Sequence, residues 1–143
     1  MKIEIEVDEK ELLEGLDKAN RQVLKMVEQA MNDAVDEIVR IASEITPFDK
    51  GILQKSHSKN VKVTKDVIEG EIEFSVREGN FNYALWTHEG IYNYGAGTLR
   101  RPGTVGWSGK KYEAGRKYLE RPIKGEEQAV RQYIAETIRS VLS

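Results

Sequence analysis

Apolar and polar residues alternate at the start of the chain and then follow a helical repeat. Residues 1–8 alternate between apolar and charged types, which is the period of a strand with one solvated face. Apolar residues then recur every three or four positions over 12–45. This spacing predicts an amphipathic helix, or two helices with a break near Gly15 or Asn20.

The segment that follows has the composition of a helix-to-strand connector. Pro47 disfavours helical dihedrals at Thr46, so the helix is expected to end there. Asp49 can accept hydrogen bonds from backbone amides two residues on. Gly51 tolerates dihedrals that a side chain would penalise.

Three short alternating runs after the connector predict a sheet. They cover 61–65, 68–76 and 83–88, and brief turns between them favour an antiparallel meander. From Pro122 onward the apolar repeat is again helical. We therefore expect one α+β domain over 1–143, with a long N-terminal helix and a C-terminal helix on one face of a small antiparallel sheet.

Residues 90–117 interrupt these patterns with glycine, aromatic and basic residues, and they predict an extended loop that is mobile or forms an interface. Cations among aromatic side chains suit nucleic-acid stacking and phosphate contact. They equally suit a protein interface or a solvated loop. The interface candidates are Tyr92, Tyr94, Leu99, Arg100, Arg101, Trp107, Lys110 and Lys111.

Composition narrows the class of protein but does not identify it. The 143 residues are 39% apolar and 32% charged, without cysteine, which excludes disulfides and thiolate sites. The net charge is −2, but the first 45 residues carry −6, so the remainder carries +4. Such an asymmetry suits head-to-tail contact between copies, nucleic-acid contact by the basic part, or a solvated acidic helix. No leader-like or membrane-spanning apolar run is expected.

Candidate catalytic residues are few. His88 and Glu89 are adjacent on a predicted strand, so their side chains are expected to point to opposite faces and not to form an acid/base pair. No cluster has metal-ligand spacing, and the glycines of 103–111 do not match a phosphate-binding loop. The sequence therefore predicts no enzyme, no cofactor and no metal.

Three short motifs resemble a family of small phage proteins, the minor tail components also described as tail-completion or head–tail joining proteins of long-tailed phages and prophages. The first motif comprises Thr46, Pro47, Asp49, Gly51, Leu53 and Ser56; the second Tyr83, Ala84, Glu89 and Gly90; the third Tyr118, Leu119 and Pro122. The motifs occur in the family's order and span about residues 40–140.

The resemblance implies a structural α+β protein that forms a ring at the head–tail junction or tail end. Its implied partners are further copies of itself and the tail-tube, tail-terminator or head-connector proteins, with neither a membrane nor a specific nucleic acid. Its implied location is the virion, and the host cytoplasm during assembly. The motif residues would serve the fold: Pro47 and Gly51 would set the connector, and Glu89 and Gly90 the start of the loop. A nucleic-acid-binding module using 92–117 is the alternative, although the pI of about 5.8 opposes it.

Overall fold

A computed structural model describes residues 2–6, 21–47, 57–64, 67–75, 77–78, 81–90, 94 and 96–142. The strands are β1 (Lys2–Glu6), β2 (His57–Val63), β3 (Ile68–Phe74), β4 (Arg77–Glu78), β5 (Phe81–Asn82), β6 (Thr104–Val105) and β7 (Lys111–Tyr112). The helices are α1 (Arg21–Ile45), α2 (Tyr83–Glu89), α3 (Ala96–Leu99) and α4 (Glu120–Leu142). The predicted breaks near Gly15 and Asn20 lie outside the described residues, as does most of the connector.

The main sheet is antiparallel, with strand order β1-β3-β2. The hairpin predicted between the runs at 61–65 and 68–76 is confirmed, with Asn60 opposite Glu71. The N-terminal strand pairs with the other edge of β3, where Glu6 lies opposite Glu69. Alternate β3 residues from Ile68 to Phe74 are buried, so one face of the sheet belongs to the core.

Helix α1 packs on that buried face. Gly70 permits the close approach, because a Cβ there would lie 2.6 Å from Val35 Cγ2 and 2.8 Å from Met31 Cε. The helix ends at Ile45, directly before Thr46 and Pro47, as the proline predicts. Helix α4 packs mainly along α1 rather than on the sheet. The α+β class is confirmed.

The third predicted strand is wrong, because residues 83–89 form helix α2. The side chain of Asn82 accepts a hydrogen bond from the backbone N–H of Leu85 at 3.3 Å, which is the geometry of a helix N-cap. Ala84 and His88, four residues apart, are both buried. Alternation over only six residues is a weaker signal than an N-cap followed by two buried residues at i and i+4.

The segment 90–117 is not an irregular loop throughout. It contains α3 and the β6–β7 hairpin, whose turn closes through Gly106 N to Lys110 O at 3.0 Å. Gly109 has a φ of 85°, which is accessible to glycine at little cost. Thr98 and Tyr112 are buried, so part of this segment belongs to the core. Strands of two residues are too short to show a period.

Candidate functional site

The β6–β7 hairpin is held against α4 by the carboxylate of Glu126. We call residues 104–112 the docked hairpin. Glu126 is fully buried, and it accepts hydrogen bonds from Ser108 N at 2.9 Å, from Ser108 Oγ, and from Tyr112 OH at 2.7 Å. Burial, and then the bond to Glu126, raise the pKa of Tyr112 to about 12. A Cβ on Gly106 would lie 2.5 Å from Glu126 Cδ, so glycine permits this approach.

A second buried carboxylate, Glu37 on α1, fixes the opposite strand of the docked hairpin. Arg40 forms a fork with it, with Nε 2.6 Å from Oε1 and Nη2 3.1 Å from Oε2. Arg40 also donates to Thr104 Oγ1 and to Val105 O, both at 2.8 Å. Trp107 N donates to Glu37 at 3.1 Å. The hydrogen bond to Glu37 is the main reason that the pKa of Arg40 is raised. The pair joins a half-buried cation to a buried carboxylate.

The tip of the docked hairpin carries an aromatic side chain that is only partly covered. The rings of Trp107 and Tyr133 are 4.7 Å apart, tilted by 50°. Tyr133 OH donates to Asp33 Oδ2 at 3.0 Å, and burial raises its pKa. Trp107 is nevertheless 44% exposed, and Val105 is 54% exposed. The docked hairpin therefore presents apolar surface outward while its backbone is anchored from both sides.

A groove of about 830 Å³ runs between this tip and one face of α4. We call it the basic groove. Among its lining residues are Trp107, Lys110, Ala129, Arg131, Ala135 and Arg139, and none of the described residues that line it is a carboxylate. A cationic groove with an aromatic wall and small side chains along a helix is suited to bind an acidic surface that carries some apolar area.

Four of the five acidic side chains of α1 are bonded within the subunit, whereas Glu28 is exposed, and the acids at 8–17 lie outside the described residues. Asp33 is bonded by Tyr133, Asp36 by Lys59, and Glu37 by Arg40. Glu44 also pairs with Arg40, at 3.0 Å.

The face of the sheet that points away from α1 also carries acidic side chains. Glu69, Glu71 and Glu73 of β3 are partly exposed there, and Glu6 and Lys62 lie opposite Glu69 on the two neighbouring strands. We call the four glutamates the acidic sheet face; together with Lys62 they carry −3.

The predicted interface residues separate into exposed and structural ones. Leu99 is 70% exposed, and Arg100, Lys110 and Lys111 are also exposed. Tyr94 is half-buried, and its hydroxyl oxygen accepts a hydrogen bond from Arg116 N at 2.9 Å. Tyr92 lies outside the described residues.

Arg101 is the clearest structural exception among these candidates. It donates from Nη2 to Ser43 O at 3.1 Å, from Nη1 to Thr46 Oγ1 at 3.2 Å, and also from Nη1 to Thr46 O. Gly115 N donates to Ile45 O at 2.9 Å. The last carbonyls of α1 lack intrahelical partners. Arg101 binds the carbonyl of Ser43, Gly115 N binds that of Ile45, and the Arg101 cation complements the negative end of the helix dipole.

Two of the three motifs meet in the core. Tyr118 OH donates to Ala84 O at 2.8 Å, and its ring meets those of Phe74 and His88 edge to face at 5.6 and 5.1 Å. Leu119 is fully buried. These contacts stabilise the packing of α2 against the start of α4.

The structure describes only some of the remaining motif residues. Pro47 and Pro122 are buried, Gly90 is half-buried, and Glu89 is exposed. For Tyr83 the structure describes only the backbone, at the first position of α2. Asp49, Gly51, Leu53 and Ser56 lie outside the described residues.

His88 and Glu89 do converge, contrary to the prediction from a strand. Nδ1 of His88 lies 3.1 Å from Glu89 Oε1, and its Nε2 accepts a hydrogen bond from Glu120 N at 3.2 Å. Because a backbone N–H only donates, the ring proton lies on Nδ1 and the imidazole is neutral. Burial lowers the pKa of His88, and the bond from Lys117 lowers that of Glu89. His88 is 2% exposed, so it joins α2 to α4 and does not face solvent.

Within the ranges that the structure describes, no three of the His, Asp and Glu side chains are grouped so as to hold a metal ion. Over the same ranges, no helix is long and apolar enough to cross a membrane. Comparisons of the chain with known protein families, with characterised proteins and with solved structures found no match.

Proposed function

We propose that this chain is a structural assembly protein whose copies associate head to tail, with the basic groove of one copy against the acidic sheet face of the next. The single observation that carries the proposal is that one chain presents both surfaces, of opposite charge and without shared residues. A contact between two unlike patches is heterologous, and it generates a ring when the rotation closes. The motif resemblance to tail-completion and head–tail joining proteins supports the same role.

The docked hairpin supports this proposal because its anchoring needs no partner. Glu126 and Glu37 fix its backbone within the subunit, so the exposed Trp107 is oriented before any association. Pre-ordered aromatic anchors lose little conformational entropy on binding. The acidic sheet face adds charge complementarity, which favours the correct register and disfavours groove-to-groove contact.

The proposed setting follows from the resemblance. A ring of this kind would act at the head–tail junction or tail end of a virion, after assembly in the host cytoplasm. Its neighbours would be tail-tube, tail-terminator or head-connector proteins, and its role would be non-enzymatic.

The association is tested by measuring native mass over a concentration series, with negative-stain imaging of the largest species. We expect the wild-type chain to form closed rings and Trp107→Ala to shift assembly to concentrations at least tenfold higher, since a buried aromatic anchor contributes roughly 2 kcal/mol or more. Leu85→Ala is the matched control, because Leu85 is 46% exposed and lies outside the groove. A wild-type monomer at every concentration, or equal effects of the two substitutions, would contradict the proposal.

A second candidate function rests on the same groove. Lys110, Arg131 and Arg139 beside Trp107 also match the pattern of phosphate contacts next to a base-stacking side chain. Binding of a single-stranded oligonucleotide would then weaken with salt, and Arg139→Gln would reduce the slope of log affinity against log salt by about one. An unchanged slope in Arg139→Gln would reject this function.

A further inference from the structure

A separate cationic pocket lies at the first turn of α4. It has a volume of about 420 Å³, and Tyr94, Arg116, Lys117, Glu120, Arg121 and Lys124 are among its lining residues. It shares no lining residue with the basic groove, which starts at Gly125 and continues along α4. A pocket of this size holds a small ligand or one end of a larger ligand.

The guanidinium of Arg121 is the central group of this pocket. Its Nε donates to Arg116 O at 3.0 Å, which fixes the plane of the fork. Its two terminal nitrogens have no hydrogen-bond acceptor among the residues that the structure describes. Burial lowers the pKa of Arg121. The negative charge of Glu113 opposes this shift, but the two side chains are not hydrogen-bonded. A half-buried cation without a bonded counter-ion favours the binding of an anion.

The surrounding charges leave the pocket cationic. Lys117 is bonded to Glu89 and lies 3.4 Å from Glu120, which also pairs with Lys124 at 3.1 Å. Arg116 has no carboxylate within ion-pair distance among the described residues. The lining holds four cations and two carboxylates, Glu113 and Glu120, and Glu89 beside it neutralises Lys117. This leaves a net charge of +1 at the pocket within a chain of net charge −2.

We infer that this pocket binds a phosphate group in its dianionic form, held by the terminal nitrogens of Arg121 and flanked by Arg116 and Lys124. A planar guanidinium matches two phosphate oxygens at once. The positive end of the α4 dipole adds to this attraction. Three cations other than Lys117 border the pocket. A terminal phosphate group, either inorganic phosphate or a monoester, offers an oxygen to each of them, whereas a carboxylate has only two oxygens and a backbone phosphodiester only two unesterified ones. The inference does not depend on the proposed assembly.

The site is tested by nuclear magnetic resonance of the backbone amides at about pH 8, where the phosphate dianion predominates. The full chain is titrated with inorganic phosphate, with acetate, and with an oligonucleotide that lacks a terminal phosphate, all at constant ionic strength. We expect phosphate to produce saturable shifts at 113–124 and to bind at least tenfold more tightly than acetate or the oligonucleotide.

The variants separate binding from folding. Arg121→Gln is expected to weaken phosphate binding roughly tenfold or more, since a charge-assisted pair is lost. Arg116→Gln, at an exposed side chain, is expected to weaken it severalfold without a change in thermal unfolding. Lys110→Gln, in the basic groove, is the matched control and should bind as the wild type does. Absent or non-saturable shifts, equal affinity for acetate, or full binding by both Arg121→Gln and Arg116→Gln would overturn the inference.

Discussion

Adjacent arginines at 100 and 101 give a direct test of how the structure separates folding from surface chemistry. Arg101 binds the carbonyl of Ser43 in the last turn of α1 and that of Thr46, directly after the helix, whereas Arg100 is exposed. The two residues have the same chemistry and neighbouring positions. Substitution of each by glutamine therefore gives two variants that differ mainly in whether the contacts of Arg101 with Ser43 and Thr46 are lost.

The expected loss of stability for Arg101→Gln follows from those contacts. Hydrogen bonds to a charged group contribute about 1.5–3 kcal/mol each where they are desolvated, and a cation at a helix C-terminus contributes about 0.3–1 kcal/mol. The side chain is only half-buried, so we take the low end and expect a decrease of about 2–3 kcal/mol in the free energy of unfolding. At a urea slope of about 2 kcal/mol per molar, the midpoint should fall by roughly 1 M.

Urea unfolding at 25 °C, followed by far-ultraviolet circular dichroism, measures this difference. Arg100→Gln should remain within about 0.5 kcal/mol of the wild type, as exposed substitutions usually do. If Arg101→Gln were no more destabilising than Arg100→Gln, the assignment of Arg101 as the cap of α1 would be wrong.

Three further predictions concern the anchoring of the docked hairpin. Glu126→Ala removes the buried acceptor of Ser108 and Tyr112 and should lower the free energy of unfolding by about 3 kcal/mol. The control Glu127→Ala, at the exposed neighbour that pairs with Arg131, should change it by under about 0.5 kcal/mol. Equal effects of the two substitutions in urea unfolding would contradict the anchoring by Glu126. Gly125→Ala should destabilise the fold by about 1–3 kcal/mol although alanine favours helices, because its Cβ would overlap the Tyr112 hydroxyl. This loss of stability should be smaller in the Tyr112→Phe background. A gain in thermal stability would refute the close approach of Gly125 and Tyr112. The Tyr112 phenol has a pKa of about 12 in the folded chain against an ordinary 10.0. The unfolded chain therefore releases this proton first, and the free energy of unfolding should fall as the pH rises between these two values. Ultraviolet titration should show a tyrosine that ionises near 12 and is absent in Tyr112→Phe, and an unchanged titration curve in that variant would reject the assignment.

The sequence was sufficient to predict the long periodic elements. The repeat at 12–45 predicts a helix, and the proline at 47 predicts its end, which the structure places at Ile45. The hairpin of β2 and β3 follows from alternation over enough residues to distinguish one face from the other. These elements are long, and their apolar face is buried in the core.

Short elements were not predictable because tertiary contacts decide them. Helix α2 depends on the Asn82 cap and on the burial of His88 beside Tyr118. Asparagine before a possible helix was the one local signal that could have identified it. The β6–β7 hairpin is fixed by Glu37 and Glu126, which lie far from it in sequence. No local pattern predicts such long-range hydrogen bonds.

The sequence also does not show which charged side chains lie on the basic groove and which are paired within the subunit. Trp107 and Lys110 were identified from composition, and the structure places both on the basic groove. The summed charge of −6 over the first 45 residues does not reveal which carboxylates are paired. Asp33, Asp36 and Glu37 are bonded within the subunit, which is visible only once the chain is folded.

Complementary charge reversal tests the head-to-tail association most directly. One variant carries Lys110→Glu and Arg139→Glu in the basic groove, and the other carries Glu69→Lys, Glu71→Lys and Glu73→Lys on the acidic sheet face. Each variant alone would place like charges at every contact, whereas a mixture of the two restores opposite charges at both contacts. Sedimentation velocity should show monomers for each variant alone and larger assemblies of alternating subunits for the equimolar mixture. Assembly of either variant alone, or no assembly of the mixture under conditions where the wild type forms rings, would contradict the account.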